Sequence, residues 1–242
     1  MFVDNMSSDE LLYEYNMDLP DIQAQTMRYD RSDYITNHLW KNRKKSKVVV
    51  SKHFVSSRKN HYIGIIIYTQ SGIGQSRRWE WSSFHIGLMH TFKGLSAVAF
   101  YTDSKQAVKF TPHFFKRYKE RFSKVCDWRT RNQLMAAKSI EDILPIYIKR
   151  NLGTTWIETK SVFRDKMHIF APVNDGVALI QWDKTKKLLQ ANTFVTLDML
   201  DAKQTKMVDY AKAYFSLLEK ERHKYKFPDF ITGDDSSSIK NQ

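Results

Sequence analysis

At 242 residues, with 42% hydrophobic and 14% aromatic side chains, the chain can bury a substantial core without disulfides or metals. Its single cysteine, Cys126, excludes an internal disulfide framework and fits a reducing compartment. A formal net charge of +13 attracts polyanions, so nucleic acid is the leading expected partner and an acidic protein the alternative.

Residues 1–30 are acidic and patchily apolar. Asp4, Asp9 and Glu10 stand where a secretory signal needs a basic start and an apolar core, and the longest apolar run, Ile63 to Tyr68, is too short to span a bilayer. The expectation is a soluble cytoplasmic protein without a membrane partner. Leu11, Leu12, Tyr15 and Leu19 suggest a short helix that Pro20 and Asp21 would stop before a second begins. The charge then reverses. Lys41, Arg43, Lys44, Lys45 and Lys47 cluster beside Trp40, a combination that can grip phosphates while stacking a base. A charged helix end leading into a strand explains the same residues equally well.

Val48 to Val55 is β-branched, and the run His61 to Thr69 is apolar on both faces, as a central strand requires. Gln70 to Ser76 reads as a turn, since no lysine follows Gly72 and Gly74 at phosphate-loop spacing. Arg78 to Ile86 alternates, placing Trp79, Trp81 and His85 on one side. His85 and His90 lack a third spaced ligand and read as packing histidines, so no metal or cofactor is expected. Leu95 to Thr102 and Gln106 to Phe110 form an expected hairpin leading into the stretch FTPHFFKRYKERF.

In that stretch Thr111 can cap a helix and Pro112 suits its first position. Phe114, Phe115, Tyr118 and Phe122 share one flank, while His113, Arg117 and Arg121 form a ladder about 12 Å long on the other, at about 1.5 Å per residue. The ladder can hold a phosphate, or it can be an ordinary solvated face with its arginines paired to Glu120 or a neighbouring element. Asp127 caps a following helix, and Ser139 with Asp142 starts a third. Ser161 to Phe170 alternates Phe163, Met167 and Ile169 with Arg164, Lys166 and His168. Strands at Val177 to Trp182 and Leu188 to Thr196 complete a meander. Asp198 is the expected cap of a long C-terminal helix reaching about Lys224, with Met207 and Tyr210 on its buried side.

The expected fold is α+β, an antiparallel twisted sheet with helices packed mainly on one face and a long C-terminal helix. Residues 1–47 form a helical N-terminal extension, 48–225 a single domain, and 226–242 a disordered tail.

The order strand, helix with H-x-x-x-R-x-x-x-R, then a meander ending in NTFVT resembles small toxin-type ribonucleases of the barnase, EndoU, colicin and RelE group. The likeness covers Leu95 to Thr196 and rests on His113, Arg117, Arg121, Thr193 and Thr196. It implies metal-independent RNA cleavage by 2′-hydroxyl attack. His113 and His168 would move protons, Arg117, Arg121 and Arg164 would clamp the phosphate, and Thr193 or Thr196 would hydrogen-bond it. The residues alone leave binder and nuclease open. A nucleic-acid-binding protein, with RNA ahead of DNA, would use Lys166 with the same His/Arg helix and the Trp40, Lys41, Arg43, Lys44, Lys45 cluster; a non-catalytic protein-interaction module is the further alternative.

Overall fold

The computed structural model describes residues 1–71, 78–101, 105–151, 161–163, 166–210 and 213, with the side chains of Tyr101, 161–163 and 166–170 excepted. A nine-stranded sheet runs β1 (Lys47–Val55), β2 (His61–Ser71), β3 (Arg78–Thr91), β4 (Gly94–Tyr101), β5 (Gln106–Phe110), β9 (Leu188–Val195), β8 (Gly176–Asp183), β7 (Lys166–Val173), β6 (Ser161–Phe163). Among the described residues every pairing is antiparallel except that of β5 with β9. The sheet is therefore mixed, not the wholly antiparallel one expected. After β5 the chain runs through α3 (Pro112–Val125), α4 (Trp128–Ala136) and α5 (Ile140–Asn151) before the β6–β9 meander. That crossover returns β9 beside β5 in the same direction, and side-chain alternation carries no record of strand direction.

Helices cover both faces of the sheet. On one, α3, α4 and α5 enclose a core that includes Ile65, Ile86, Phe110, Ile180 and Phe194. On the other, α1 (Ser8–Asp30) packs with Phe2 over Tyr62, Met89 and Val98, and Ile35 of α2 (Asp33–Lys41) packs on Val48, Val50, Ile66 and Tyr68. Central strands apolar on both faces require two covers, so the expectation of helices mainly on one face is corrected. The N-terminal segment shares this core. Gly87 makes room for it, since a Cβ there would stand 2.8 Å from the Phe2 ring.

Pro20 does not divide α1. It cannot donate to the Asn16 carbonyl, yet Leu11, Tyr15, Asp18, Ile22 and Thr26 are all buried on one side of a continuous 23-residue helix. Burial on both sides of the proline outweighs one missing bond. Thr111 caps α3 as expected, accepting from the Phe114 N–H at 3.3 Å, with Pro112 at the first position. Asp127 caps α4, accepting from the Thr130 N–H at 3.0 Å.

Beyond β9 the cap lies elsewhere than expected. Leu197–Met199 forms a 3-10 turn, and a helix starts at residue 202. Asp201 accepts from the Gln204 N–H at 2.8 Å while Gln204 accepts from the Asp201 N–H at 3.1 Å. That reciprocal pair makes Asp201 the cap in place of Asp198. Val208 is buried there, whereas Tyr210 is exposed. The rest of the expected long helix, the 226–242 tail and the Gly72/Gly74 turn lie outside the described residues.

Candidate functional site

The basic cluster near Trp40 occupies the turn between α2 and β1. Its backbone is fixed: the Lys45 N–H donates to the Asn42 carbonyl at 2.9 Å. Gln70, at the end of β2, donates its side-chain amide to the Arg43 carbonyl and its N–H to the Ser46 carbonyl, both at 2.9 Å. The side chains point outward. Lys41, Arg43, Lys44, Lys45 and Lys47 are all exposed, and among the described residues none of the five is in an ion pair. Trp40 is 66% exposed, and the Arg43 guanidinium lies 4.6 Å from its ring centroid. The turn thus displays five uncompensated cations around an indole on a rigid backbone, which lowers the entropy lost on binding. Trp79 and Trp81, candidates for the same surface, are half-buried against the α2 core.

Along α3 the ladder is largely engaged within the fold. Arg117 donates Nε–H to His113 Nε2 at 3.3 Å and Nη1–H to Glu120 at 2.9 Å. Arg121 donates to the Phe194 carbonyl of β9. The buried flank carries the heavier duty. Phe114 and Tyr118 stack edge-on to Tyr147 of α5 at 5.3 and 5.0 Å, and Tyr118 meets Phe194 at 5.0 Å. Aromatic burial of this kind contributes about 2–3 kcal/mol per ring. The Tyr118 hydroxyl donates to Asp175 at 2.8 Å, and burial, reinforced by that carboxylate, pushes its pKa up.

The remaining expected site residues are spread across the sheet. Arg164 lies outside the described residues, and for Lys166 and His168 only the strand position is described. Lys166 pairs with Phe163, and His168 pairs with Gln181, which in turn pairs with Gln190 of β9. β8 thus separates β7 from β9, the strand on which α3 rests. Phe194 faces α3, so alternation turns Thr193 to the opposite face. Thr196 is buried and leads into the 3-10 turn.

His113 does border a second basic region, a cleft of about 570 Å³ at the head of α3. Its floor comes from neighbouring strands: Ser96 of β4, Lys109 of β5, Gln190 and Asn192 of β9. Lys109 is only 8% exposed and is ion-paired to Asp4 of the N-terminal arm. Lys93, Lys116 and Lys186 add positive charge at the walls, and Asp4 is the sole carboxylate among the described lining residues. Lys116 also reaches Glu120 at 3.9 Å. The Ser96 hydroxyl is fully buried and has no hydrogen-bond partner among the described residues. One signal for this cleft was present in the sequence, Lys109 between the apolar Val108 and Phe110 of β5, but nothing there showed which loops would surround it.

Of the two histidines expected to pack, His85 does so, whereas His90 is exposed. The His85 Nε2 lies 2.9 Å from the Thr26 hydroxyl, and burial lowers its pKa to about 4. Among the described residues no group of three or more His, Cys, Asp or Glu is placed to hold a metal ion, and no helix is long and apolar enough to cross a membrane. Comparison of the chain with known protein families, curated proteins and solved structures finds no match.

Proposed function

We propose that this protein binds nucleic acid through the α2–β1 turn, with single-stranded RNA favoured over DNA. The observation that carries this reading is the set of five exposed cations, none of them in an ion pair among the described residues, around a Trp40 that is 66% exposed. Ammonium and guanidinium groups take phosphates, and the indole stacks an unpaired base. Unpaired, splayed bases are what proteins read most often in RNA, which is why RNA ranks first. The engagement of Arg117 by Glu120 and of Arg121 by a backbone carbonyl favours binding over cleavage at the α3 ladder.

Anisotropy of a labelled single-stranded RNA, titrated at several salt concentrations, tests the reading. Salt-sensitive binding that weakens when Lys41, Lys44 and Lys45 are replaced by Gln supports it, and salt-independent or absent binding refutes it. Intact RNA after the same incubation in EDTA separates binding from the metal-independent cleavage implied by the likeness to toxin-type ribonucleases. An acidic protein partner becomes the better reading if RNA does not bind.

A further inference from the structure

We propose that the cleft at the head of α3 is a second, separate site that takes a nucleotide-type ligand, with a phosphate at its floor and an aromatic base at its rim. The turn at Lys47 and the cleft at Thr91 lie near opposite ends of β3, whose 14 residues span roughly 45 Å at about 3.4 Å each. The two regions are different surfaces.

Four observations define the ligand. First, the cleft's 570 Å³ falls in the range of small-molecule pockets, roughly 300–1,000 Å³. Second, its charge is cationic: Lys93, Lys116 and Lys186 converge with His113 at the positive end of the α3 dipole. Third, the floor holds polar groups that a fold does not bury without reason. Lys109 sits among apolar strand residues with Asp4 as its ion-pair partner, and the floor residue Ser96 has a fully buried hydroxyl with no partner among the described residues. A buried ammonium needs an anionic partner, and an oxyanion at the floor would supply one to Lys109 in place of Asp4. Fourth, Phe92 at the rim is 86% exposed, with the Lys93 ammonium 5.2 Å from its ring centroid. An aromatic ring beside cations suits a base attached to a phosphate.

Asp4 then has a definite role. Its carboxylate stands where a phosphate oxygen would pair with Lys109, so the N-terminal arm carries an internal competitor for the ligand. Removing that charge strengthens ligand binding, whereas a merely structural ion pair, once broken, would leave binding no tighter.

A free nucleotide and the phosphorylated end of an RNA strand share this chemistry, and calorimetry of the full chain distinguishes them. The probes are adenosine 5′-monophosphate, adenosine, inorganic phosphate, and one oligoribonucleotide with and without a 5′-phosphate. Adenosine 5′-monophosphate is expected to bind more tightly than either fragment. Phe92→Ala should weaken it about tenfold without changing binding of inorganic phosphate, and Asp4→Asn should tighten it about tenfold. If the 5′-phosphate strengthens oligonucleotide binding and adenosine 5′-monophosphate competes, the source is a chain end; if the 5′-phosphate has no effect, it is a free nucleotide. Lys109→Met should abolish binding, and because its buried position endangers folding, the exposed Phe92→Ala variant keeps the test decisive. No binding of adenosine 5′-monophosphate at millimolar concentration, binding no tighter than phosphate alone, or unchanged or weaker binding by Asp4→Asn overturns the proposal. Adenosine 5′-monophosphate, adenosine and inorganic phosphate do not depend on the α2–β1 turn, and the oligonucleotide pair is compared in the variant with Lys41, Lys44 and Lys45 replaced by Gln, so failure of the turn and failure of the cleft read out separately.

Discussion

Replacing Lys41, Lys44 and Lys45 with Gln tests the turn quantitatively, because its backbone is pinned by Gln70 and the removed charges are exposed and in no ion pair among the described residues. The variant should melt like the parent protein. Each phosphate contact on a single strand contributes about −0.7 to the slope of log K against log salt. Loss of three contacts therefore flattens that slope by about 2. Extrapolated from about 1 M to about 0.1 M salt, where each contact contributes about 0.7 decade, the affinity falls roughly 100-fold. Trp40→Ala should behave differently: it loses about tenfold in affinity through stacking while the slope stays the same. Fluorescence anisotropy with a short labelled RNA across a potassium chloride series reads both quantities. A triple variant with an unchanged slope would show that the turn does not meet phosphate, and a neutral Trp40→Ala would remove the stacking role.

Other consequences concern the scaffold. His85 is neutral in the fold, with a pKa of about 4 against about 6.5 when unfolded; the unfolded chain binds more protons between those values. Its contribution is complete above about pH 6.5 and is lost as pH falls toward 4, at most about 3 kcal/mol. Urea unfolding across that window should show stability falling with pH, and His85→Gln should flatten the fall while lowering stability throughout. Gly176→Ala should lower the urea midpoint by the equivalent of about 2 kcal/mol or more, because a Cβ there would fall on the Val195 carbonyl oxygen. Asp175 accepts from Tyr118 at 2.8 Å and from Arg150 and Asn151 at 3.0 Å; Asp175→Ala removes the buried carboxylate that these three donors share and should cost about 3–5 kcal/mol by the same measurement.

Local chemistry was legible in the sequence where a residue acts on its own neighbours. Thr111–Pro112 and Asp127 announced their helices because caps depend on backbone a few residues away. The meander at β7–β9 was legible for the same reason, since turns and alternation are short-range. What was hidden depended on distant partners. The parallel β5–β9 pairing comes from a crossover through three helices. Continuity of α1 past Pro20 comes from burial against the sheet, and the cap at Asp201 in place of the expected Asp198 depends on the 3-10 turn that follows β9. For the site, Trp40 and its lysines were legible as a contiguous run, but their lack of carboxylate partners among the described residues was not. Cleft residues Asp4, Ser96, Lys109 and Lys186 are far apart in the chain, and only folding assembles them.

The architecture also constrains where a basic protein of this kind can act. With α1 and α2 on one face and α3 to α5 on the other, much of the sheet surface is spent on the core. Function then falls to the strand ends and connecting turns, the usual seat of binding groups on a rigid scaffold. α3 illustrates the division: its aromatic flank organises the core, Arg121 secures β9, and only its head, at His113 and Lys116, opens onto a cleft. The two basic regions near opposite ends of β3 are too far apart for one nucleotide to touch both. A mononucleotide should therefore leave short-RNA binding at the turn unchanged, whereas an RNA long enough to bridge roughly 45 Å should be displaced partly by mononucleotide and partly by competitors for the turn. A mononucleotide that fully displaced a short RNA lacking a 5′-phosphate would refute this separation and place both ligands on one surface.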